Sequence, residues 1–433
     1  MPAFLRLAAL FGGLILSAPL LAAVEPDAAS YGYPLTNPFE ATIATTPPAL
    51  RPELPADDAI DQADYAIKLR PEREFALLKN FWPVTKLRYR LARQDGPAPL
   101  VFVIAGTGAP YSSGTMEYLK KLFYGAGYHV VQLSSPTSYD FMASASRYAT
   151  PGLSSEDADD LYRVMQAVRA QHPDLEITDY YLTGYSLGAL NAAFVSKLDE
   201  TRRSFNFKRV LMLNPPVNLY TSISNLDSLV QTKVSGIDDN TTFYQVVMNK
   251  LTRYFQEKGY IDLNEAMLYD FQQSGEQLSN EQLAMLIGTV FRFSSADIVF
   301  TSDLLNRRGL ITPPNLPIDQ GTPLEPFFRR ALQCDFDCYI REQLLPMWRV
   351  RTDGGSLIQL IDQVSLYALE DYLKSSDKIA VMHNADDVIL GPGDLGFLRR
   401  AMGDRLILYP HGGHCGNLNY RVNANDMLEF FRG

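Results

Sequence analysis

The residues best suited to chemistry form the run Gly184-Tyr185-Ser186-Leu187-Gly188. A serine with glycine two places to either side suits a tight turn from a strand into a helix. The serine backbone is strained there, and neighbouring chains approach so closely that only a hydrogen fits at the flanking positions. The flanks agree with such a turn: Tyr180-Tyr181-Leu182-Thr183 reads as a strand, and Gly188, Ala189, Ala192 and Ala193 open a helix of small residues. A serine hydroxyl is a weak nucleophile. It needs a base to take its proton and an acid to orient that base. Five histidines are available for the first role: His129, His172, His383, His411 and His414. Three cysteines, Cys334, Cys338 and Cys415, complete the reactive set, too few for a Cys/His metal cluster.

The elements around the motif follow a regular rhythm. Lys86 to Leu91 alternates as a half-buried strand does, and Leu100-Val101-Phe102-Val103-Ile104 is a short unbroken apolar run ending in Gly106-Thr107-Gly108. A helix over Met116 to Phe123, a strand over Tyr128 to Leu133 and a second helix follow. That second helix opens at Ser154, with Asp157 placed to complete a capping box, and carries Ala158, Leu161, Met165 and Val168 on one face. Strands over Asp179 to Thr183 and Arg209 to Leu213 bracket the helix from Leu187 to Leu198. Short apolar strands alternating with helices predict a mostly parallel sheet covered on both faces.

The rhythm stops at Asn214-Pro215-Pro216 and resumes at Lys378 to His383. Residues 218–377 between them read as helical. Phe243, Val247, Leu251, Tyr254 and Phe255 mark one apolar face, Leu283, Leu286, Ile287, Val290 and Phe291 a second, and Leu357, Leu360, Ile361, Val364 and Leu369 a third. We expect a large helical cap inserted after the strand ending near Leu213, with its apolar faces over the mouth of the Ser186 pocket. An independent helical domain threaded at that point is the alternative.

With these pieces in order, the chain resembles the serine α/β-hydrolase superfamily. The likeness spans about residues 85–217 and 378–433, the two parts of the core, and leaves the cap unmatched. It implies an α/β-hydrolase fold, with Ser186 as nucleophile and the chain order serine, acid, histidine. Lys378 to Ile389 looks like the strand and turn that carry the acid: Asp386, followed by one residue and two aliphatics, fits the family pattern, and Asp387 is the alternative. Pro410-His411-Gly412-Gly413-His414-Cys415-Gly416 is similar to the family's base loop, which makes His414 the base and His411 a neighbouring loop histidine. The resemblance also implies an oxyanion hole from the backbone N–H groups of Leu187 and Thr107, although Ala105-Gly106 stands where the family often has His-Gly.

Composition narrows the remainder. The chain has 433 residues, 46% of them hydrophobic, and a net charge of −10. This excludes a disordered chain and argues against a nucleic-acid partner. Residues 1–23 have the order of a secretory signal, and residues 24–84 form an extended Pro-rich leader into the domain. Export to a periplasmic or secreted location is the expectation, with an uncleaved membrane anchor as the alternative. In an oxidising compartment Cys334 and Cys338, four apart on one helical face, are candidates to pair, and Cys415 is expected as a small buried side chain. The function expected is an exported hydrolase of carboxylic esters, on a small-molecule or lipid-like substrate, without metal or organic cofactor. A peptidase or amidase, an acyltransferase, and a non-catalytic binding protein of the same fold are the alternatives.

Overall fold

The computed structural model describes residues 22–69, 86–233, 278–316, 318 and 322–433. The apolar face drawn through Phe243 to Phe255 lies outside these residues, as does the N-terminal apolar stretch up to Leu21.

Eight strands form one sheet: β1 (Gln62–Ile67), β2 (Leu87–Ala92), β3 (Ala98–Ile104), β4 (His129–Leu133), β5 (Ile177–Tyr185), β6 (Arg209–Leu213), β7 (Ile379–Asn384) and β8 (Leu406–Tyr409). Their spatial order is β1-β2-β4-β3-β5-β6-β7-β8. β2 runs antiparallel to both β1 and β4, and every pair from β4 to β8 is parallel. The central strands are apolar on both faces because helices cover both sides: β4 and β7 are buried at every position. β2 instead alternates, with Leu87, Tyr89 and Leu91 buried and Arg88 exposed.

The order reverses at β3, which lies between β4 and β5. In an open parallel sheet such a reversal leaves a crevice outside the carboxyl ends of the two diverging strands. Here those ends carry Ala105-Gly106-Thr107-Gly108 and Ser186.

The helices used below, in chain order, are α1 (Ala28–Tyr31), α2 (Pro38–Ala44), α3 (Gly114–Gly125), α4 (Tyr139–Ser144), α5 (Ser154–Gln171), α6 (Leu187–Arg202), α7 (Leu219–Ser228) and α8 (Asn280–Asn306). Between β6 and β7 the described residues contain helices and no strand. α8 is the one described helix long and apolar enough to cross a membrane, yet most of it is buried in protein, and it carries Arg292, Asp297 and Asp303.

Three local expectations differ from what is observed. The helix α5 has Leu153, not Ser154, at its N-cap; the Ser154 hydroxyl donates to the Val364 carbonyl at 2.7 Å, and Asp157 accepts the Gly152 N–H at 2.7 Å. Tertiary partners thus replace the capping box. Cys334 and Cys338 are disulfide-bonded with Cα atoms 5.2 Å apart, but they do not share a helix. Cys334 ends the helix Glu325–Gln333, and Asp335 caps the next one by accepting the Cys338 N–H at 2.9 Å. The leader is also more structured than its prolines suggest. Val24 pairs with β8, Asn37 caps α2 by accepting the N–H groups of Phe39 and Glu40, and β1 extends the sheet.

Candidate active site

Sterics build the turn at Ser186. A Cβ on Gly188 would overlap the Ile104 carbonyl oxygen and lie 2.6 Å from that of Ala105; one on Gly184 would overlap the Gly188 carbonyl. Only glycine lets α6 start directly against the end of β3. Ser186 itself has φ 53° and ψ −125°, a strained conformation for a residue with a side chain, worth about 1–3 kcal/mol. Ser186 N–H donates to the Leu213 carbonyl at 2.9 Å, which ties the turn to the end of β6. The result is a half-buried hydroxyl projecting at the carboxyl ends of the strands.

His414 reaches that hydroxyl. Its Nε2 lies 2.9 Å from Ser186 Oγ, and its Nδ1 lies 3.1 and 3.0 Å from the two oxygens of Asp387. With Nδ1–H donated to Asp387, Nε2 is left as the acceptor for the serine proton. The Asp387 carboxylate is buried and well satisfied. It accepts from Asn214 Nδ2 at 3.0 Å and from the Ile389 N–H at 3.1 Å in addition to His414.

Asp386, the acid favoured on sequence grounds, is not against the histidine. Its carboxylate accepts the N–H groups of Gly412 and Gly413 at 3.2 and 3.0 Å, so it shapes the loop before His414. The alternative, Asp387, is the residue brought to the imidazole. The physical reason is the turn after β7: adjacent side chains diverge there, and the donors from Asn214 and Ile389 draw only the second of them inward.

The electrostatics follow from these contacts. Burial disfavours charge on Asp387, but the facing His414 outweighs it and holds the carboxyl below its ordinary value. Burial likewise opposes charge on His414, and the Asp387 carboxylate overrides this, lifting the imidazole well above its ordinary 6.5. Asp386 goes the other way, raised by burial.

The other histidines have structural duties. His411 Nε2 donates to the Tyr33 carbonyl at 2.7 Å, and its ring packs edge-on to Tyr31. His383 is fully buried and kept neutral by that burial; its Nδ1 accepts the Asn384 N–H at 2.9 Å, leaving Nε2–H to the Pro215 carbonyl at 3.0 Å. His129 Nδ1 accepts the Gln94 N–H, and His172 Nε2 meets the Tyr89 hydroxyl. Cys415 is half-buried, with Sγ 3.9 Å from His414 Nε2, further off than Ser186 Oγ.

Leu187 is the first residue of α6, so its N–H has no acceptor one turn earlier in the helix. The Ala105–Gly108 loop lies against the same turn: a Cβ on Gly106 would meet Tyr185 Cε2 at 2.7 Å. Gly108 N–H donates to Thr137 Oγ1 at 2.7 Å, which holds the loop from the β4 side. Thr107 is half-buried between these anchors. Among the described residues no group of three His, Cys, Asp or Glu side chains is arranged to hold a metal ion.

Three contributors were not read from the sequence. Asn214, at the end of β6 with φ 47°, supplies the donor to Asp387. Thr42 of α2 accepts the His414 N–H at 2.8 Å through Oγ1. Asn384 Nδ2 donates to the Gly413 carbonyl at 2.8 Å. Asn214 and Asn384 each directly follow or end an apolar run, the one local signal that marked them.

No family model and no curated protein matches the chain. Solved structures do. It is similar to a thioesterase domain from the curacin biosynthetic pathway at 14% identity and TM-score 0.38, covering 86% of this chain and 100% of that one. It is similar to an arylesterase at 13% identity and TM-score 0.40, covering 88% and 84%. It is also similar to the Pyrococcus furiosus esterase Pf2001 at 12% identity and TM-score 0.41, covering 93% and 98%. The fold assignment rests on this chain's own strand order, its antiparallel β2 and the strained turn between β5 and α6. On that ground the protein has the α/β-hydrolase fold.

Proposed function

We propose that the protein is an exported serine hydrolase of carboxylic esters. The single observation that carries the reading is the unbroken hydrogen-bonded chain Ser186 Oγ, His414, Asp387 at the mouth of the crevice. Ser186 Oγ attacks the ester carbonyl carbon as its proton passes to His414 Nε2. The imidazolium so formed is stabilised by Asp387 through Nδ1–H. The N–H groups of Leu187 and Thr107 receive the negative charge that develops on the carbonyl oxygen. The alkoxide leaves with the proton from His414, giving an acyl-serine. Water, deprotonated by the same imidazole, then releases the acid and restores the serine.

Two further features support parts of this reading. The Cys334–Cys338 disulfide suits an oxidising compartment, in keeping with the signal-like start of the chain. The approach of Ser294 on α8 to Gly108, with Ser294 Cβ 3.5 Å from where a Gly108 Cβ would stand, supports the helical insertion as the roof of the Ser186 pocket.

The test is a panel of aryl esters of graded acyl length beside aminoacyl anilides of matched size. The reading expects ester turnover with a kcat/KM far above that of the anilides and no loss of acyl groups to added alcohols. Anilide turnover equal to that of the esters makes the protein an amidase, and acyl transfer to alcohol in preference to water makes it an acyltransferase.

A further inference from the structure

The helix α8 is buried nearly all round, so its exceptions are informative. Val290, Ser294 and Asp297 lie on one face at helical spacing, and Asp297 is the one exposed residue between Glu281 and Asn306. This face is turned toward the crevice, because Ser294 sits against Gly108 of the loop that follows β3. Gly108 is in turn bonded to Thr137, two residues before Tyr139 at the start of α4.

Asp297 has no hydrogen-bond or ion-pair partner among the described residues, and Tyr139 carries a buried hydroxyl that is likewise unpartnered. The two groups are close enough that the carboxylate disfavours ionisation of the phenol. Asp297 is reached by solvent, yet the protein packed around it lifts its carboxyl to about 6. A carboxylate both solvent-reached and densely surrounded lies in a recess and not on the outer surface. Water can solvate such an acid only in part, so a cation that enters the recess gains both charge pairing and hydrogen bonds there.

We infer that Asp297 and the Ser294 hydroxyl one turn before it form a subsite beside the loop that follows β3 for a positively charged, amine-bearing part of the substrate. An ammonium group has three donors and no acceptor, and the carboxylate and the Ser294 hydroxyl can both accept. The net charge of −10 also favours approach of a cationic substrate. A neutral polyol would satisfy the same acceptors only in part, since it gains no charge pairing. The inference deepens the hydrolase reading and rests on it for the identity of the reacting bond.

The test compares aryl esters of ω-amino acids, four to eight carbons long, with methyl-ended and hydroxyl-ended esters of equal length. For the native protein the amine-ended ester should exceed its methyl-ended isostere in kcat/KM at one or two lengths, and the hydroxyl-ended one should not. In Asp297→Asn that amine-to-methyl ratio should fall at least tenfold, and in Ser294→Ala it should fall severalfold. An amine-to-methyl ratio at or below one at every length, or a ratio unchanged by Asp297→Asn, overturns the inference, as does equal preference for the hydroxyl-ended series. Turnover of methyl-ended esters reports separately on the hydrolase reading. If no ester is cleaved, calorimetric titration with hexylammonium still decides the subsite: binding by the native protein that is lost in Asp297→Asn supports it, and absence of binding refutes it.

Discussion

Thr42 Oγ1 accepts the backbone N–H of His414 at 2.8 Å, across 372 positions of chain. The same hydroxyl donates to the Pro38 carbonyl at 2.6 Å, so it is fixed in α2 before it meets the loop. The surroundings are tight: a Cβ on Gly413 would overlap the Pro38 carbonyl, and one on Gly416 the Ala41 carbonyl. On its other side α2 packs Ile43 with Met285, Leu286 and Phe293 of α8. The leader helix therefore joins the histidine loop to the helical insertion.

Thr42→Ala should leave the His414 amide without its acceptor and loosen the imidazole. The expected loss is about tenfold in kcat, the kinetic equivalent of ~1.4 kcal/mol, with KM little changed. Thr42→Ser should recover most of the rate. Steady-state kinetics on a small aryl ester, with melting curves beside them, separate loosening of the base from general unfolding.

Asp387→Asn should lower kcat by about 10³–10⁴, since the amide disturbs the histidine tautomer and removes the stabilising charge. Asp386→Asn changes a carboxylate that accepts from Gly412 and Gly413 and does not meet His414, and its cost should stay within about tenfold. Reversal of the two effects, measured on the same ester, would move the acid to Asp386.

The pH profile has a determined sign. To take the Ser186 proton His414 must be neutral, and Asp387 raises its imidazole well above its ordinary 6.5. Ester kcat/KM should therefore rise with pH along a limb whose midpoint lies above 6.5. In Asp387→Asn the residual activity should rise along a limb displaced to lower pH. A native midpoint below 6.5 would contradict the assigned pair.

Gly188→Ala tests the packing that sets Ser186 in place. The new methyl would collide with the Ile104 and Ala105 carbonyls, both fixed backbone. A cost of about 3 kcal/mol or more is expected, read as a lower denaturation midpoint. Gly396→Ala, where the added methyl meets only the end of Arg400 at 3.3 Å, is the mild control.

What the sequence revealed and what it concealed have a common physical cause. The Gly184 to Gly188 turn is a local steric device, so its residues announce it, and the apolar runs of β3 to β8 announce a covered sheet in the same way. β1 escaped notice because Gln62-Ala63-Asp64-Tyr65-Ala66-Ile67 is an edge strand with mostly unburied positions and little alternation. The choice between Asp386 and Asp387 depends on donors from Asn214 on another strand and from the Ile389 amide, which a local pattern does not contain. The contribution of Thr42 is more remote still. It arises only when a Pro-rich leader, with no local mark of a role in the site, folds back on the histidine loop. Ser154 errs in the opposite direction, a local capping pattern overridden by a tertiary acceptor at Val364.

The proposed activity requires Ser186 to be a nucleophile activated by His414. Its most direct test is reaction of the folded protein with a fluorophosphonate, followed by mass mapping of the modified peptide. Stoichiometric modification at Ser186 is expected, slowed by orders of magnitude in His414→Ala and absent in Ser186→Ala. A folded protein that never reacts, or one whose label persists in Ser186→Ala, would contradict it.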